Sequence, residues 1–395
     1  MGVLDTGIKV QEGVLPTWAG VIGNDVPLLA SGPWISATSH RLTPRRVTFL
    51  AYAAGRTAGL QAAVVDDPGA YETCNLYRML LAEPMVFKFP LAAIAARASL
   101  RELAEPAARW FPNLAVLYPG YDCFVAGSAA AADSLSHALV AGVCSWAADQ
   151  GMRAVSFQYV AADSQLAWIL AERGLRRLPL TFRARLQVDG DFAEYLHRLP
   201  PKRRAEVLRE RRRLSDAGMR TKRCDHTEFF ADIVALRCGL MARYGHSANP
   251  ERESRNLSRL IGCFGPDGVR LYCCLAAGRA VGFSLFVVWN GVWYAAYTGT
   301  LARPDTRFVY FDHLIYSPYA DAATEGARVL DLGVGAWQAK QARGCALLPA
   351  DVWAIGLDEK VDRSIELAAT AMVPEAGAAP RTATIPGPAQ GDRND

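Results

Sequence analysis

A short motif occurs twice in this chain at identical internal spacing, and this duplication constrains the fold more than any other feature. The motif reads Ala-Ala-Gly-Arg-x-x-Gly-x-x-x-x-Val-Val and spans residues 53–65 and 276–288. Each copy carries apolar residues on both sides of its Ala-Gly-Arg segment, a pattern typical of two strands joined by a tight glycine turn. The shared positions are Gly55, Arg56, Gly59, Val64 and Val65 in the first copy and Gly278, Arg279, Gly282, Val287 and Val288 in the second.

Two further matches follow in the same order along the chain. Residues 147–157 match residues 322–332 through an Ala-Ala pair, a glycine and an arginine. Residues 170–175 match residues 340–345 through an Arg-Gly pair. Because three matches in one order do not arise easily by chance, the sequence indicates two copies of a single module.

Each module is predicted to run in the order hairpin, helix, strand, helix, strand. A glycine follows every predicted helix, in the position where the left-handed backbone conformation commonly ends a helix. The predicted helices are 134–150, 164–173, 311–325 and 336–343, and the predicted strands after them are 153–160, 178–188, 328–333 and 347–355.

This order of elements, with an Arg-Gly pair after the last helix of each copy, resembles the GNAT acyltransferase fold. Two such modules in one chain resemble the Fem-like branch of that superfamily and other bacterial double-GNAT proteins, over roughly residues 34–360. The resemblance implies an α/β (α+β) fold of two tandem GNAT-like modules, each a mixed twisted sheet flanked by helices, with the two sheets side by side. The predicted organisation is a first module at 34–190, a basic helical junction at 191–225, a second and catalytic module at 226–360 and a disordered tail at 374–395.

Composition agrees with two globular domains and argues against membrane insertion and metal binding. The chain has 395 residues, of which 51% are hydrophobic and 21% charged, enough for two cores. No apolar run is long enough to span a bilayer, and no signal-peptide pattern is present. Nine cysteines without a C-x-x-C pair are typical of free thiols in a reducing cytoplasm. We therefore expect a cytoplasmic protein without a zinc site.

Positive charge is concentrated in one segment at the junction of the two modules. Residues 198–223 contain eleven basic and three acidic side chains, and a helix is predicted over 201–217. A solvated helix with Glu–Arg pairs is one interpretation. The other is a surface that binds RNA phosphates or a phosphorylated donor, because clustered arginine forks match phosphate geometry. The Fem-like resemblance favours the second interpretation, and the candidate phosphate contacts are Arg204, Arg211 and Arg212.

The two copies differ at the strand exit, and this difference places the predicted chemistry in the second copy. Leu330-Asp-Leu-Gly-Val-Gly335 precedes a predicted helix that contains Lys340 and Arg343, and Arg343 is a candidate contact of the donor or substrate. Gly333 and Gly335 allow close approach of the backbone to a ligand, or only a tight turn. The Fem-like resemblance assigns Lys340 the role of stabilising charge on the transferred acyl carbonyl, next to Asp331. In the alternative interpretation, Lys340 and Arg343 lie on the surface near the end of a helix and only complement its dipole.

Aromatic and polar residues are predicted to line the same cleft. Tyr310 and His313 share one face of the helix that begins where a GNAT module binds its acyl donor, although a buried histidine that is not a base is the alternative. Tyr297 and Thr298 leave the preceding strand beside that helix.

The usual CoA-binding signature, Arg/Gln-x-x-Gly-x-Gly/Ala before this helix, does not occur in either copy. In that signature, backbone N–H groups bind a pyrophosphate at the helix N-terminus. Its absence weakens the case for acetyl-CoA and agrees with the Fem-like branch, which also lacks it.

We therefore expect an acyltransferase that forms an amide bond between an aminoacyl group of aminoacyl-tRNA and an amine, with no cofactor. The acceptor is open between a cell-wall precursor and a small molecule, and no DNA partner is expected. An acyl-CoA-dependent N-acyltransferase and a non-catalytic double-GNAT binding protein remain alternatives. Residues 1–33 and 66–112 receive no predicted role.

Overall fold

The protein folds around a mixed sheet flanked by helices, which confirms the predicted fold class. The structure is a computed structural model that describes residues 7–13, 17–23, 25–38, 40, 45–70, 73–81, 105–303, 306 and 308–372. The predicted disordered tail at 374–395 and part of the segment 66–112 lie outside the described residues.

The described residues form one continuous sheet of 13 strands rather than two separate sheets. Along the sheet the order is β1-β2-β3-β4-β6-β13-β7-β12-β11-β10-β9-β8, and β5 pairs with β3. The strands are β1 Gly7–Glu12, β2 Arg46–Ala53, β3 Arg56–Val65, β4 Asn113–Val116, β5 Ala126–Gly127, β6 Ala154–Ala161, β7 Arg176–Gln187, β8 Arg220–Cys224, β9 Val269–Ala276, β10 Arg279–Trp289, β11 Val292–Thr300, β12 Val329–Val334 and β13 Ala346–Gly356.

The two halves of the chain exchange their last strands at the centre of this sheet. Strand β13, from the second half, pairs antiparallel with both β6 and β7. Strand β7, from the first half, pairs antiparallel with β12. The two duplicated hairpins, β2–β3 and β9–β10, lie at corresponding distances from this centre. The expected side-by-side sheets are thus joined into one, because each half supplies the strand that closes the other.

Helices cover both faces of the sheet. The long first-half helix contacts β2 and β3, and the last helix contacts β13 and β7. The helices are α1 Trp18–Ile22, α2 Gly32–Thr38, α3 Leu76–Leu80, α4 Ala129–Asp149, α5 Gln165–Glu172, α6 Phe192–Arg198, α7 Pro201–Asp216, α8 Phe230–Arg243, α9 Pro250–Phe264, α10 (Val309–Phe311, the π-helical turn Asp312–Tyr316 and Ser317–Thr324), α11 Trp337–Gln341 and α12 Glu359–Met372.

Described residues of the N-terminal segment, for which the sequence indicated no role, contribute to the core. Trp18 is buried and its indole donates to the carbonyl of Ala30 at 2.7 Å. The indole of Trp34 donates to Pro119 at 2.5 Å. Helix α2 contacts α9, so this segment connects the first half of the sheet to the helices of the second half.

Candidate functional site

A cavity of about 940 Å³ opens where β11 and β12 separate. These two parallel strands pair only over Val292–Tyr294 and Val329–Asp331. Beyond that point, β11 has a bulge opposite Leu285 and Phe286 of β10. The ends of β11 and β12 form two walls of the cavity. Divergence of parallel strands exposes backbone and side chains of both edges, and bulges commonly lie beside active sites.

The remaining walls come from segments that the sequence analysis did not assign to the site. Helices α8 and α9 and the loop between them supply one side, and residues of the first half supply another. Among these lining residues are Leu29, Trp34, Thr73, Gly120, Tyr121, Arg237, Tyr244, His246, Arg252 and Glu253. No motif marks them in the sequence, because the tertiary contact of α2 with α9 brings them together.

Lys340 lies on the cavity wall and is almost completely buried, with 1% of its surface exposed. Its ammonium group donates to the carbonyl of Leu332 at 2.7 Å, of Val334 at 3.2 Å and of Gly333 at 3.4 Å. Burial lowers the pKa of Lys340 to about 8, although Cys345 and the Asp331 carboxylate act in the opposite direction. The lysine is therefore mostly protonated at neutral pH and directed at the glycine turn.

Left-handed backbone conformations shape that turn. Gly333 and Gly335 have φ of 63° and 82°, and Ala336 has φ of 47°. Glycine adopts this region without a steric penalty, whereas alanine does not. Both glycines line the cavity, so the predicted close approach of backbone to a ligand is possible at these positions.

Asp331 is buried at the end of β12 and belongs to an ion network. Its carboxylate accepts from Arg183 at 3.0 Å, from Arg185 at 2.9 Å and from the N–H of Gly333 at 3.1 Å. Burial raises the pKa of Asp331, but the charges of Arg183 and Arg185 outweigh this effect and hold the pKa below its usual value. Arg183 also binds Asp122. An ionised Asp331 with two arginine partners is a structural anchor rather than a proton acceptor.

Cations outnumber anions in the cavity. Arg237 stacks over the ring of Tyr297 at 5.0 Å and lies 3.6 Å from the buried carboxylate of Glu253. The lining residues that carry charge are Arg183, Arg237, Arg243, Arg252, Arg303 and Lys340 on the basic side and Glu253 and Asp331 on the acidic side, and His40 and His246 also line the cavity. This balance favours an anionic ligand.

Tyr297, Thr298 and Tyr310, which the sequence placed at the cleft, all line the cavity. The hydroxyl of Thr298 donates to the carbonyl of Phe283 at 3.0 Å. Burial raises the pKa of Tyr310, so its hydroxyl stays protonated.

His313 lies behind the cavity wall rather than on it. It is fully buried in the π-helical turn of α10, a local feature that is frequent at functional sites. Its Nε2 is 3.0 Å from the hydroxyl of Thr300, and its Nδ1 is 2.7 Å from the hydroxyl of Ser284. Thr300 itself lines the cavity. Burial lowers the pKa of His313 to about 3, so the imidazole is neutral and orients Thr300.

The low pKa of His313 predicts a measurable loss of stability in acid. The unfolded chain takes up a proton near pH 6.5 whereas the folded chain does so only near pH 3, and stability therefore falls as pH decreases through this window. Between pH 6.5 and pH 5 we expect His313 to reduce the free energy of unfolding by about 1.5 kcal/mol. Urea unfolding of the wild type and of His313→Gln at both pH values measures this difference. If the free energy of unfolding falls by the same amount between the two pH values in both proteins, His313 titrates normally.

The predicted phosphate contacts on α7 have different environments. Arg204 donates to the carbonyls of Leu196 at 2.9 Å and His197 at 3.0 Å, and so completes the end of α6. Arg211 lies 3.4 Å from the carboxylate of Asp312. Arg212 is exposed to solvent. Of the three side chains, Arg212 is therefore the one whose guanidinium is most available to an external phosphate.

Arg343 is placed outside the cavity. Its guanidinium donates to the hydroxyl of Tyr316 at 2.6 Å and to the carboxylate of Glu210 at 2.7 Å, and it lies over the ring of Phe311. Arg343, a predicted donor contact, does not line the cavity, and its guanidinium is directed at Glu210 of α7, Tyr316 of α10 and the carbonyl of Ala339 in α11.

In the part of the chain that the structure describes, no cluster of three or more His, Cys, Asp or Glu residues could hold a metal ion. None of the described helices combines the length and the apolar character that crossing a bilayer requires.

Comparison with solved structures shows that the fold is similar to that of FemX. FemX matches with a TM-score of 0.55 and 12% identity, over 91% of this chain and 100% of the FemX chain. A tandem GNAT protein from the clavulanic acid biosynthesis pathway matches with a TM-score of 0.47 and 12% identity, over 89% of this chain and 98% of that chain. No curated protein matches the chain in sequence.

The chain is an acyltransferase. Residues 103–369 match the FemAB-like family of peptidoglycan biosynthesis/recognition, and the chain belongs to that family. The predicted resemblance to the Fem-like branch is thereby confirmed.

Proposed function

We propose that this acyltransferase moves an aminoacyl group from aminoacyl-tRNA to an amine of a peptidoglycan precursor, forming an amide bond in the cavity between β11 and β12. The observation that carries this proposal is the position of Lys340, a buried cation on the wall of a cavity rich in arginine. A cationic cavity suits the phosphates of an RNA end, and membership of a family of peptidoglycan biosynthesis/recognition favours a cell-wall acceptor.

The reaction begins with attack of a neutral amine on the ester carbonyl carbon. The new C–N bond forms as the carbonyl electrons move to oxygen, and the ester C–O bond breaks when the tetrahedral intermediate collapses. The proton lost by the amine is taken up by the leaving ribose oxygen. A donor that is fixed before the reaction and meets the oxyanion stabilises this intermediate most effectively.

Lys340 is the candidate for that donor. Its bonds to Gly333 and Val334 are long, at 3.4 and 3.2 Å, whereas its bond to Leu332 is 2.7 Å. The ammonium group can keep the short bond and redirect a weaker one to the oxyanion. Asp331, held by two arginines, fixes the turn, and Thr300, oriented by His313, presents a hydroxyl on the cavity wall.

Donor identity is tested by incubating the protein with a peptidoglycan precursor amine and either aminoacyl-tRNA or acyl-CoA. Loss of the aminoacyl ester, with mass-spectrometric detection of the new amide, supports the proposal. Thioester loss without ester loss would replace it by an acyl-CoA-dependent N-acyltransferase. Binding of either donor without consumption would indicate a binding protein. Lys340→Ala serves as the control for uncatalysed ester hydrolysis.

The exposed arginines of α7 give a second prediction. Arg209 and Arg212 are exposed on this helix, and their replacement together by alanine is expected to weaken tRNA binding. The slope of log K against log salt should flatten by about one unit per lost phosphate contact. Filter binding or fluorescence anisotropy at several salt concentrations measures the slope. Arg363→Ala, an exposed arginine of α12, is the matched control, and equal slopes for all three proteins would make α7 a solvated helix.

A further inference from the structure

The basic helix α7 carries a partly buried acidic residue on the side that faces the second half. Glu210 accepts from Tyr316 at 2.7 Å and from Arg343 at 2.7 Å. Arg343 also donates to the hydroxyl of Tyr316 at 2.6 Å, so the three side chains form a closed triangle. The Arg343 and Glu210 side chains are only 14% and 12% exposed, and water therefore screens their attraction weakly.

Arg343 connects this triangle directly to the helix of Lys340. Its guanidinium donates to the carbonyl of Ala339 at 2.9 Å, and its backbone N–H donates to the carbonyl of Lys340 at 2.9 Å. Its own carbonyl accepts from Tyr195 of α6 at 3.0 Å. The C-terminal end of α11 and the residues that follow it are thus held by α6 and α7, the two helices that join the halves of the chain.

Helix α11 requires such external support. It has five residues, and its N-cap is Ala336 in a left-handed conformation with no side-chain hydrogen bond. A helix this short is not stable through its own hydrogen bonds, so tertiary contacts must fix its position. The position of the Lys340 ammonium relative to the three carbonyls depends on that placement.

We propose that Glu210 and Arg343 are positioning residues that hold α11 against the basic helix and so fix the ammonium group of Lys340 in the cavity wall. The effect on turnover rests on the proposed function, whereas the effect on Lys340 itself does not. Neither residue lines the cavity, and each acts through the lysine. Glu210, the partly buried acid of this basic helix, thereby connects the proposed RNA-binding surface to the reacting centre.

The test uses Glu210→Gln and Tyr316→Phe in the full chain, with Glu366→Gln as a matched control. Glu210→Gln keeps the shape of the side chain but removes its charge, and Tyr316→Phe removes only the shared hydroxyl. Glu366 forms an exposed ion pair with Arg363 at 3.0 Å on α12, far from this triangle in the chain. Circular dichroism and thermal unfolding establish that each variant is folded.

The first readout is the reactivity of Lys340, followed by competitive acylation and mass spectrometry between pH 6 and 11. Because the chain has six lysines, each can be followed separately. Looser packing of α11 admits water, so the pKa of Lys340 should rise by about one unit in Glu210→Gln. The second readout is aminoacyl transfer, in which we expect about a tenfold lower kcat with little change in KM for tRNA.

The two readouts distinguish the possible failures. A folded Glu210→Gln with an unchanged pKa of Lys340 would overturn the positioning role. If Glu210→Gln does not fold, an unchanged pKa of Lys340 in Tyr316→Phe would overturn it equally. The pKa of Lys340 could shift in Glu210→Gln while neither the wild type nor any variant transfers an aminoacyl group. This result would leave the positioning role intact and overturn the donor assignment. A shift of equal size in Glu366→Gln would make the effect non-specific and also overturn the proposal.

Discussion

Replacing Lys340 by alanine is expected to lower turnover by about a hundredfold or more, the effect of removing one oxyanion donor. Donor affinity should change little, because the negative charge on the carbonyl oxygen develops only in the transition state. Steady-state and single-turnover measurements separate these two quantities. An increase in KM with unchanged kcat would instead make Lys340 a substrate anchor, and no change in either quantity would place the reacting centre elsewhere.

Lys340→Arg tests the same role with the charge retained. The planar guanidinium fork does not replace a compact ammonium group at a buried site, so activity should recover only weakly. The pH profile offers an independent check. Because burial lowers the pKa of Lys340 to about 8, wild-type kcat should decrease as pH rises through 8 and the ammonium loses its proton. The residual activity of Lys340→Arg should lack this decrease, since arginine keeps its charge.

The duplicated motif predicted the hairpins because the information that forms them is local. Ala54 and Gly55 have φ of 50° and 74°, and Ala277 and Gly278 have φ of 47° and 75°. Positive φ at both central positions is the geometry of a type I′ turn, the turn that matches the twist of the adjoining strands. Gly55 and Gly278 adopt this conformation without a steric penalty, and the same Ala-Gly pair forms the turn in both copies.

The strand exchange was not predictable because strand partners are not encoded locally. Strands β7 and β13 each follow a helix that ends at an Arg-Gly pair, and their patterns fit either neighbour equally well. The exchange depends on contacts such as Arg185 of β7 with Asp331 of β12. A sequence pattern shows that Asp331 follows an apolar run but not which arginines approach it.

The sequence predicted some of the residues that line the cavity and missed others. Lys340, Tyr297 and Tyr310 were placed at the cavity because they lie at strand or helix ends in the second copy. The lining residues of α8 and α9 were missed, since an amphipathic helix gives no sign of which side chains meet a distant strand. An arginine near a helix end can contact a ligand or a neighbouring helix, and the sequence does not distinguish these two roles. In the structure, Arg343 is directed at Glu210.

Loss of Arg183 is expected to be the most destabilising single substitution at the site. The Arg183 side chain is 9% exposed and lies 2.8 Å from Asp331, and it also pairs with Asp122. Replacing it by methionine keeps the apolar volume but leaves two carboxylates with one cation fewer in the interior. Breaking such a network by removing one partner costs about 3–5 kcal/mol. Urea unfolding at pH 8 measures this loss, and we expect aminoacyl transfer to fall with it.

Arg185→Met is the matched control, because Arg185 binds the same Asp331 oxygen from the same strand but is 40% exposed. Water can replace much of its contribution, so its loss should be smaller. The pH dependence gives the sharper distinction. In the wild type the two arginines hold the pKa of Asp331 below its usual value, so this carboxylate stays ionised from pH 8 to pH 5 and the network is intact throughout.

In Arg183→Met, only Arg185 remains to oppose the effect of burial on the pKa of Asp331. The folded-state pKa of Asp331 should therefore rise above its value in the unfolded chain. Stability of the variant is then lost as pH rises through that raised pKa. The deficit relative to the wild type should therefore be larger at pH 8 than at pH 5, where protonation relieves the stranded carboxylate. A deficit that is the same at both pH values would mean that Arg183 acts through packing, and the halves of the sheet would then be joined without the ion network.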